Sequence, residues 1–533
     1  MTEDLFERLA REALPQAREA AATHGFFSAA VDLRVDRATT PATVTLTVVP
    51  GEPTRIANVA IDVTGPAREA PDGAAAVAKV SDAWLLPRGD VFRQQAWTAA
   101  KDGAVATLVA NAYAAARLTA SEARIDPEAR TADLAVTLDS GPPFYIGDID
   151  VRGLARYTPE LVKDFANVRT GDRYDEQAVD AYVRRLLRSG YFASVQAVID
   201  PDPAAAAHAP LTLSVIEAPR RRLEFGAGFS TDTEYQGSLL YSDMAVDGRA
   251  LQMYVNARLE SKLQQADVRF VPPPRPGGFP SWLADGWIDT WGGGWERTDI
   301  ENLVTVTWAV TARTRALDER RTPAFGIGFF ENDQSPEGAP SEQSHALYVD
   351  AEYTWRVVDD VLSPTRGYMV NAQAGVGVPG ASTQSFGRLV GKFAAWYPLS
   401  ERNSLYFRAE AGAVLAQSRV GIPSNFLFRT GGDTTVRGYA YESLGVEQGD
   451  AIVGGRYYAV ASAEATHWIN PSWGIAAFVD AGNAVDALSG FRLAVGAGAG
   501  ARVRTPIGPF RLDLAYGFEV ESVRLHFSVG LSF

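Results

Sequence analysis

One arginine and two acids carry the chemistry that this chain can do. Arg437 stands in Val436-Arg437-Gly438-Tyr439, inside a long connection at 418–454. Glu464 and Asp480 stand on strands read at 455–469 and 472–482, joined by a short turn around Asn470-Pro471-Ser472. That turn places the two carboxylates almost opposite each other. Glu464 also falls in line with Arg456, Tyr458, Ser462 and Thr466 on the face read as inward. Like charges directly across a ladder destabilise it, unless a cation lies between them. If the connection folds back, the Arg437 guanidinium can bridge both acids with charge-assisted, bidentate hydrogen bonds. The alternative leaves Arg437 as an exposed loop charge and the acids solvated by a wet lumen. Either way the chemistry is that of fastening, not turnover. Cysteine is absent, which excludes thiol catalysis and Cys-ligated metals and suits an oxidising compartment. The five histidines (24, 208, 345, 467 and 526) lack metal-ligand spacing. No G-x-S-x-G or phosphate loop is present, so the reading is of a protein that is not an enzyme and takes no cofactor.

The elements that must position these residues are strands. No run approaches the length of a transmembrane helix, so a membrane-spanning chain of this composition must be a closed β-barrel. The last stretch shows the pattern. Val523, Leu525, Phe527, Val529, Leu531 and Phe533 alternate with Arg524, His526, Ser528, Gly530 and Ser532. One face of such a strand suits hydrocarbon and the other a wet lumen. Strand 507–519 repeats the rule, with Phe510, Leu512, Leu514, Tyr516 and Phe518 facing one way and Arg511 and Asp513 the other. From Arg222 onward the sequence reads as sixteen strands, and an even number returns the chain to the side on which it began. Trp282, Trp287, Trp291 and Trp295 are expected to cluster at one end of the wall as an interfacial girdle. A net charge of −14 with no basic stripe excludes nucleic acid as a partner.

Residues before about 220 follow a different grammar. A strand ending recurs at Val44–Pro50, Leu134–Gly141 and Leu211–Pro219, and an opening strand recurs at Ile56–Val63 and Ile146–Val151. Helices lie between, most clearly from Asp175 to Ser189, with Val179, Tyr182, Val183, Leu186 and Leu187 on one face and Gly190 as the stop. The order strand, helix, helix, strand, strand predicts tandem α+β modules. The expected boundaries are a partial first module at 1–53, a second at 54–143, a third at 144–220 and a barrel at 221–533. The first copy starts in a helix (Leu5 to about Ala22), which reads as a trimmed amino terminus. Met1-Thr2-Glu3-Asp4 is no signal peptide, so an export signal is expected to have been removed or to lie outside this sequence. The third module is expected to offer a sheet edge for strand addition, or else to serve as a spacer.

Four motifs now carry a resemblance. Val436-Arg437-Gly438-Tyr439, Phe478-Val479-Asp480-Ala481-Gly482-Asn483, Thr505-Pro506-Ile507-Gly508-Pro509-Phe510-Arg511-Leu512-Asp513 and the terminal Phe533 occur in order. Together they resemble the signatures of the outer-membrane assembly and translocation superfamily that includes BamA, TamA and the TpsB transporters. The repeated modules look like POTRA domains. Their number, with Phe428-Arg429-Thr430-Gly431-Gly432-Asp433 before the arginine motif, points to a TamA-like member. The resemblance implies α+β periplasmic POTRA modules followed by a 16-stranded antiparallel transmembrane β-barrel in a Gram-negative outer membrane. It implies a non-enzymatic insertion factor for outer-membrane proteins, with client proteins, the lipid bilayer and a TamB-like inner-membrane-anchored protein as partners. An insertase needs an edge that can open, and the expected lateral gate is the seam between the first and last strands. Gly226 and Gly228 in the first strand, with Gly530 and Phe533 in the last, are its candidate residues, since glycine weakens a ladder. Otherwise the glycines only relieve crowding at barrel curvature. A BamA-type factor, a two-partner secretion transporter and a passive channel are the competing functions.

Overall fold

A computed structural model describes residues 3–37, 43–69, 73–276, 286–361, 363–505 and 508–529. The chain divides into two compact units, Met1–Glu217 and Ala218–Phe533.

In the first unit the repeated grammar becomes repeated architecture. Strand Arg55–Thr64 leads through helices Pro66–Glu69, Gly73–Asp82 and Gln94–Ala110 to strands Arg117–Asp126 and Thr131–Asp139. The last of these lies central, parallel to Arg55–Thr64 and antiparallel to Arg117–Asp126. Its period-2 pattern puts Ala132, Leu134, Val136 and Leu138 in the core, where Trp97, Ala100, Ala104 and Leu108 of the long helix are also buried. The third copy builds the same sheet, with Ala209–Glu217 between Ile146–Arg152 and Phe192–Ile199. Its helix Glu176–Arg188 starts where the Asp175 side chain accepts the Gln177 N–H at 2.8 Å. It is followed by Gly190, whose φ of 80° serves as the expected stop. Leu187 departs from expectation and is exposed. It follows Leu186 by about 100° of helical rotation, which carries it past the edge of the face made by Val179, Tyr182 and Leu186. The first copy consists of helix Glu3–Thr23 and a hairpin of Ala30–Asp36 with Thr43–Val49.

The second unit is a barrel. Among the described residues sixteen strands of eight or more residues, from Arg221–Ser230 to Ser522–Val529, pair antiparallel in chain order, with the last beside the first. The sixteen strands expected from alternation are the sixteen observed. The reason is that a wall between lipid and lumen imposes one pattern throughout. Phe225, Val310, Ile327, Leu514 and Leu525 project outward and are exposed, whereas Thr307, Asn332, Asp350 and Asp513 project inward and are buried.

The tryptophan girdle does not form. Trp287, Trp291 and Trp295 lie along a single strand, Gly286–Ile300. At about 3.3 Å per residue they are spread over most of a bilayer's depth instead of gathering at one interface. Trp287 is fully buried, Trp291 stacks on Phe270 at 4.5 Å, and Trp295 faces Trp308. Trp282 lies outside the described residues.

The connection between strands Asn403–Leu415 and Tyr457–Trp468 is folded, not an open loop. It holds a short 3-10 turn at Ser424–Phe426 and a hairpin of Val446–Gln448 with Ala451–Val453. Its apolar residues Ile422, Phe426, Leu427 and Phe428 join Tyr348, Phe386, Val390 and Val414 of the barrel wall in one buried cluster. Burial of that surface draws the connection inward, and its glycines let it turn there.

Candidate functional site

The inserted connection carries an arginine fastened from three strands. Those strands are Tyr457–Trp468, Trp473–Val485 and Gly508–Gly517. Arg437 Nε donates to Asp480 Oδ2 at 2.7 Å, and Nη2 donates to Asp480 Oδ1 at 3.0 Å. Nη1 donates to Glu464 Oε2 and to Asp513 Oδ2, both at 2.9 Å. The Arg437 backbone N–H adds a bond to Asp480 Oδ2 at 3.1 Å. The guanidinium also lies over the Phe478 ring, 3.3 Å from its centroid. The side chain of Asp480 is 0% exposed and that of Arg437 7%. The bridge expected between Arg437, Glu464 and Asp480 is therefore the one observed.

Its register is not the one expected. Asp480 lies opposite Ser462, and Glu464 lies opposite Phe478, so the two acids are diagonal. The hairpin is centred about one residue earlier than the pairing read from the sequence, which slides the partners by two while keeping both acids inward. Their diagonal placement eases repulsion and gives the forked guanidinium one carboxylate on each side. The Ser462 hydroxyl donates to Asp480 Oδ1 at 2.6 Å, satisfying an oxygen that the second acid would otherwise crowd.

Two members of the cluster were not singled out from the sequence. Arg502, on strand Ala494–Thr505, donates to Glu464 Oε2 at 2.7 Å and to Asp513 Oδ1. Two arginines thus face three carboxylates. Asp513 shares its inward face with Arg511 in the alternation already read, but nothing in one strand says which inward acid meets the loop. The available signal is spatial. Gly496, Gly498 and Gly500 alternate on strand Ala494–Thr505. A Cβ at Gly496 would stand 1.8 Å from the Arg437 carbonyl oxygen, and one at Gly500 would stand 1.8 Å from Asp513 Oδ1. Glycine on one face of a strand marks a close approach, and here the loop and its acid make it. Gly438 is held by backbone geometry as well, with φ 97° and a Cβ position 2.7 Å from the Gly517 nitrogen. Val436 and Tyr439 are buried with Val460 and Ala494, and the Tyr439 hydroxyl donates to the Val495 carbonyl at 3.1 Å.

The expected gate residues are divided. Gly226 pairs with Ser238 and Gly228 with Gln236, on the first strand's ladder with its hairpin partner. Gly530 and Phe533 lie outside the described residues. At the seam itself the Phe527 N–H donates to the Thr231 hydroxyl at 3.2 Å. Among the described residues no group of three histidines or acids is arranged to hold a metal.

A closed wall with a loop fastened inside it, joined in sequence to repeated α+β modules, defines a plugged transmembrane barrel. The chain belongs to the Omp85 superfamily, whose domain matches residues 247–533, and the POTRA family described as a surface antigen variable number repeat matches 144–218. It is an outer-membrane protein with periplasmic POTRA modules. Over 482 residues it is 24% identical to the outer membrane protein assembly factor BamA of Neisseria meningitidis serogroup B, covering 83% of this chain and 58% of that protein. Over 442 residues it is 24% identical to the BamA of Nitratidesulfovibrio vulgaris, covering 79% of this chain and 55% of that one. The chain thus spans a little over half the length of these relatives. A crystal structure of Haemophilus ducreyi BamA lacking POTRA domains 1–3 superimposes with a TM-score of 0.62 at 15% identity, covering 89% of this chain and 99% of that one.

Proposed function

We propose that the protein is a non-enzymatic assembly factor that inserts client proteins into the outer membrane through a lateral gate between its first and last barrel strands. The observation that carries this reading is the Arg437 cluster. It fastens an inserted loop to strands close in order to the seam without itself bridging the first and last strands. The naming of the relatives as BamA assembly factors supports the same activity. Insertion would draw its energy from client folding and lipid burial. Gly226 and Gly228 weaken the first strand's hold on its neighbours, and Gly530 and Phe533 belong to the other side of the seam in this reading. A passive channel would need an open lumen, whereas the inserted loop occupies this one.

Cysteine pairs across 222–230 and 524–529 test the gate in a chain that has no cysteine of its own. A pair that oxidises readily should stop client insertion in proteoliposomes until it is reduced. A fully locked seam with undiminished insertion defeats the reading.

Within this activity the finer assignment is a TamA-like factor acting with a TamB-like inner-membrane-anchored partner, and it rests on the domain boundaries 1–53, 54–143, 144–220 and 221–533. A BamA-type role draws support from the curated relatives. Strand Phe192–Ile199, an edge of the third module's sheet, is the proposed docking edge. Pull-down from crosslinked envelopes separates the two. A large inner-membrane-anchored protein captured through this edge supports the first role, and capture of client proteins without one supports the second.

A further inference from the structure

Behind the arginine cluster lies a second fastening that touches both sides of the seam. His526, on the last strand, is 4% exposed, and its Nε2 accepts the Gly438 N–H at 2.9 Å. Its other ring nitrogen, Nδ1, is buried 3.7 Å from Asp232 Oδ1, beyond hydrogen-bond distance, and among the described residues it has no hydrogen-bond partner. Asp232 is 8% exposed and sits in the turn that follows the first strand. The second oxygen of Asp232 accepts the Asp433 N–H at 2.9 Å. The loop is thus held at Asp433 by the first hairpin and at Gly438 by the last strand, and the two holders face each other.

We propose that His526 and Asp232 form a bolt that makes loop anchorage depend on a closed seam. The logic is geometric. A ring nitrogen that accepts an amide N–H must present its lone pair, so the proton of the neutral ring resides on Nδ1. That nitrogen lies beside the Asp232 carboxylate, whose charge favours an N–H on that side. Separating the first hairpin from the last strand pulls Asp232 from His526, and the loop must then release Asp433 or Gly438. Asp513, opposite His526 in the ladder, is already engaged by Arg437 and Arg502. The Asp433 backbone N–H lies on the far side of the same Asp232 carboxylate. His526 is a positioning residue in this scheme, and the bolt does not depend on what the protein assembles.

The test uses the full chain in detergent micelles, with no insertion assay. With 15N-labelled histidine, the His526 ring, assigned by its loss in H526Q, should show the Nδ1-protonated tautomer at about pH 8. Amide exchange across 431–440 at about pH 8, corrected for intrinsic rates, should be about tenfold faster in H526A, which removes the acceptor of the Gly438 N–H. H526Q keeps an acceptor and should stay near the wild-type rate. D232N should raise exchange at Asp433. An Nε2-protonated tautomer overturns the proposal, as does H526A loop exchange that matches wild type. The tautomer measurement is made on wild type and decides the matter even if a variant does not fold.

Discussion

The barrel and the modules use the same charged side chains to different ends. In the barrel, Arg437 and Arg502 are each 7% exposed and meet acids that are 0–11% exposed. In the modules, Arg117 pairs with Asp139 at 3.0 Å, but the arginine is 73% exposed, and Arg124 pairs with Glu122 at 76% and 64% exposure. Water competes for both of these module pairs and for almost none of the barrel cluster. An exposed pair contributes little, whereas removing one member of a buried pair strands the others without solvent. The modules therefore take their stability from apolar cores under a sheet. The barrel has a lumen in place of such a core and uses a buried charge cluster to hold its inserted loop.

Arg437→Ala tests this difference at its largest. It leaves Asp480, Asp513 and Glu464 facing Arg502 alone, at an expected cost of about 3–5 kcal/mol. The measurement is the temperature at which the folded gel band gives way to the unfolded one, paired with protease sensitivity of 418–454. Arg437→Lys keeps the charge but loses the fork that reaches three acids, so it should recover only part of the loss. An Arg437→Ala protein that matches wild type in both measurements would erase the contrast between the two regions.

Crowding the same site gives the next effect. Gly496→Ala places a methyl where the Arg437 carbonyl stands, and the loop must shift, at about 1–3 kcal/mol. Gly103→Ala in the long module helix is the matched control, because its Cβ position lies 3.5 Å from the nearest side-chain atom. Alanine is the better helix former by about 1 kcal/mol, so the module should be unharmed or stabilised. Loop protease sensitivity and module amide exchange read the two variants separately.

The fold was legible because its two patterns are long and mutually exclusive. Period-2 alternation such as Phe510 to Phe518 has no helical reading, and the recurring strand endings at Val44, Leu134 and Leu211 mark the modules without any knowledge of packing. Arg437, Glu464 and Asp480 were legible because an arginine between two glycine-rich stretches and two inward acids on adjoining strands need one another. Asp513, Arg502 and His526 were not, since they lie two to four strands away and meet Arg437 or Gly438 only once the loop has folded inward. The diagonal offset of Glu464 and Asp480 was hidden for a related reason. A two-residue slide of register keeps every side chain on its face, so alternation is blind to it.

Among the described residues, Glu217 is a module acid that behaves like the barrel's. Its Oε1 accepts the backbone N–H groups of Ala155, Arg156 and Tyr157 at 2.9, 2.7 and 3.1 Å, and its side chain is 8% exposed. Burial raises its proton affinity, but these three amides, with Arg156 nearby, outweigh burial and hold the carboxyl below its ordinary range. A lowered folded-state pKa means that its stabilisation is complete above the ordinary glutamate range and is lost as pH falls through the lowered value. Amide exchange at 155–157 should therefore rise on acidification below about pH 4. Glu217→Gln should cost about 1–2 kcal/mol at neutral pH and flatten that acid response. An unchanged acid profile in Glu217→Gln would return Glu217 to the company of the exposed pairs.

The smallest effect sharpens the comparison from the other side. Arg117 and Asp139 form a direct cross-strand pair at the rim of the second module's sheet, with geometry nearly as short as that of the Arg437 bonds. Distance alone would rank the two alike. Exposure ranks them apart, because solvent rehydrates whichever partner remains and salt screens the pair while it lasts. Arg117→Ala should shift module stability by no more than about 0.5 kcal/mol, read as amide exchange across 131–139, and the difference should vanish in about 1 M salt. The same salt should leave the Arg437→Ala defect in place, since little water or salt reaches a side chain that is 7% exposed. If salt abolishes both defects, the barrel cluster is wet and its fastening role fails; if it abolishes neither, the module pair is more than a surface contact.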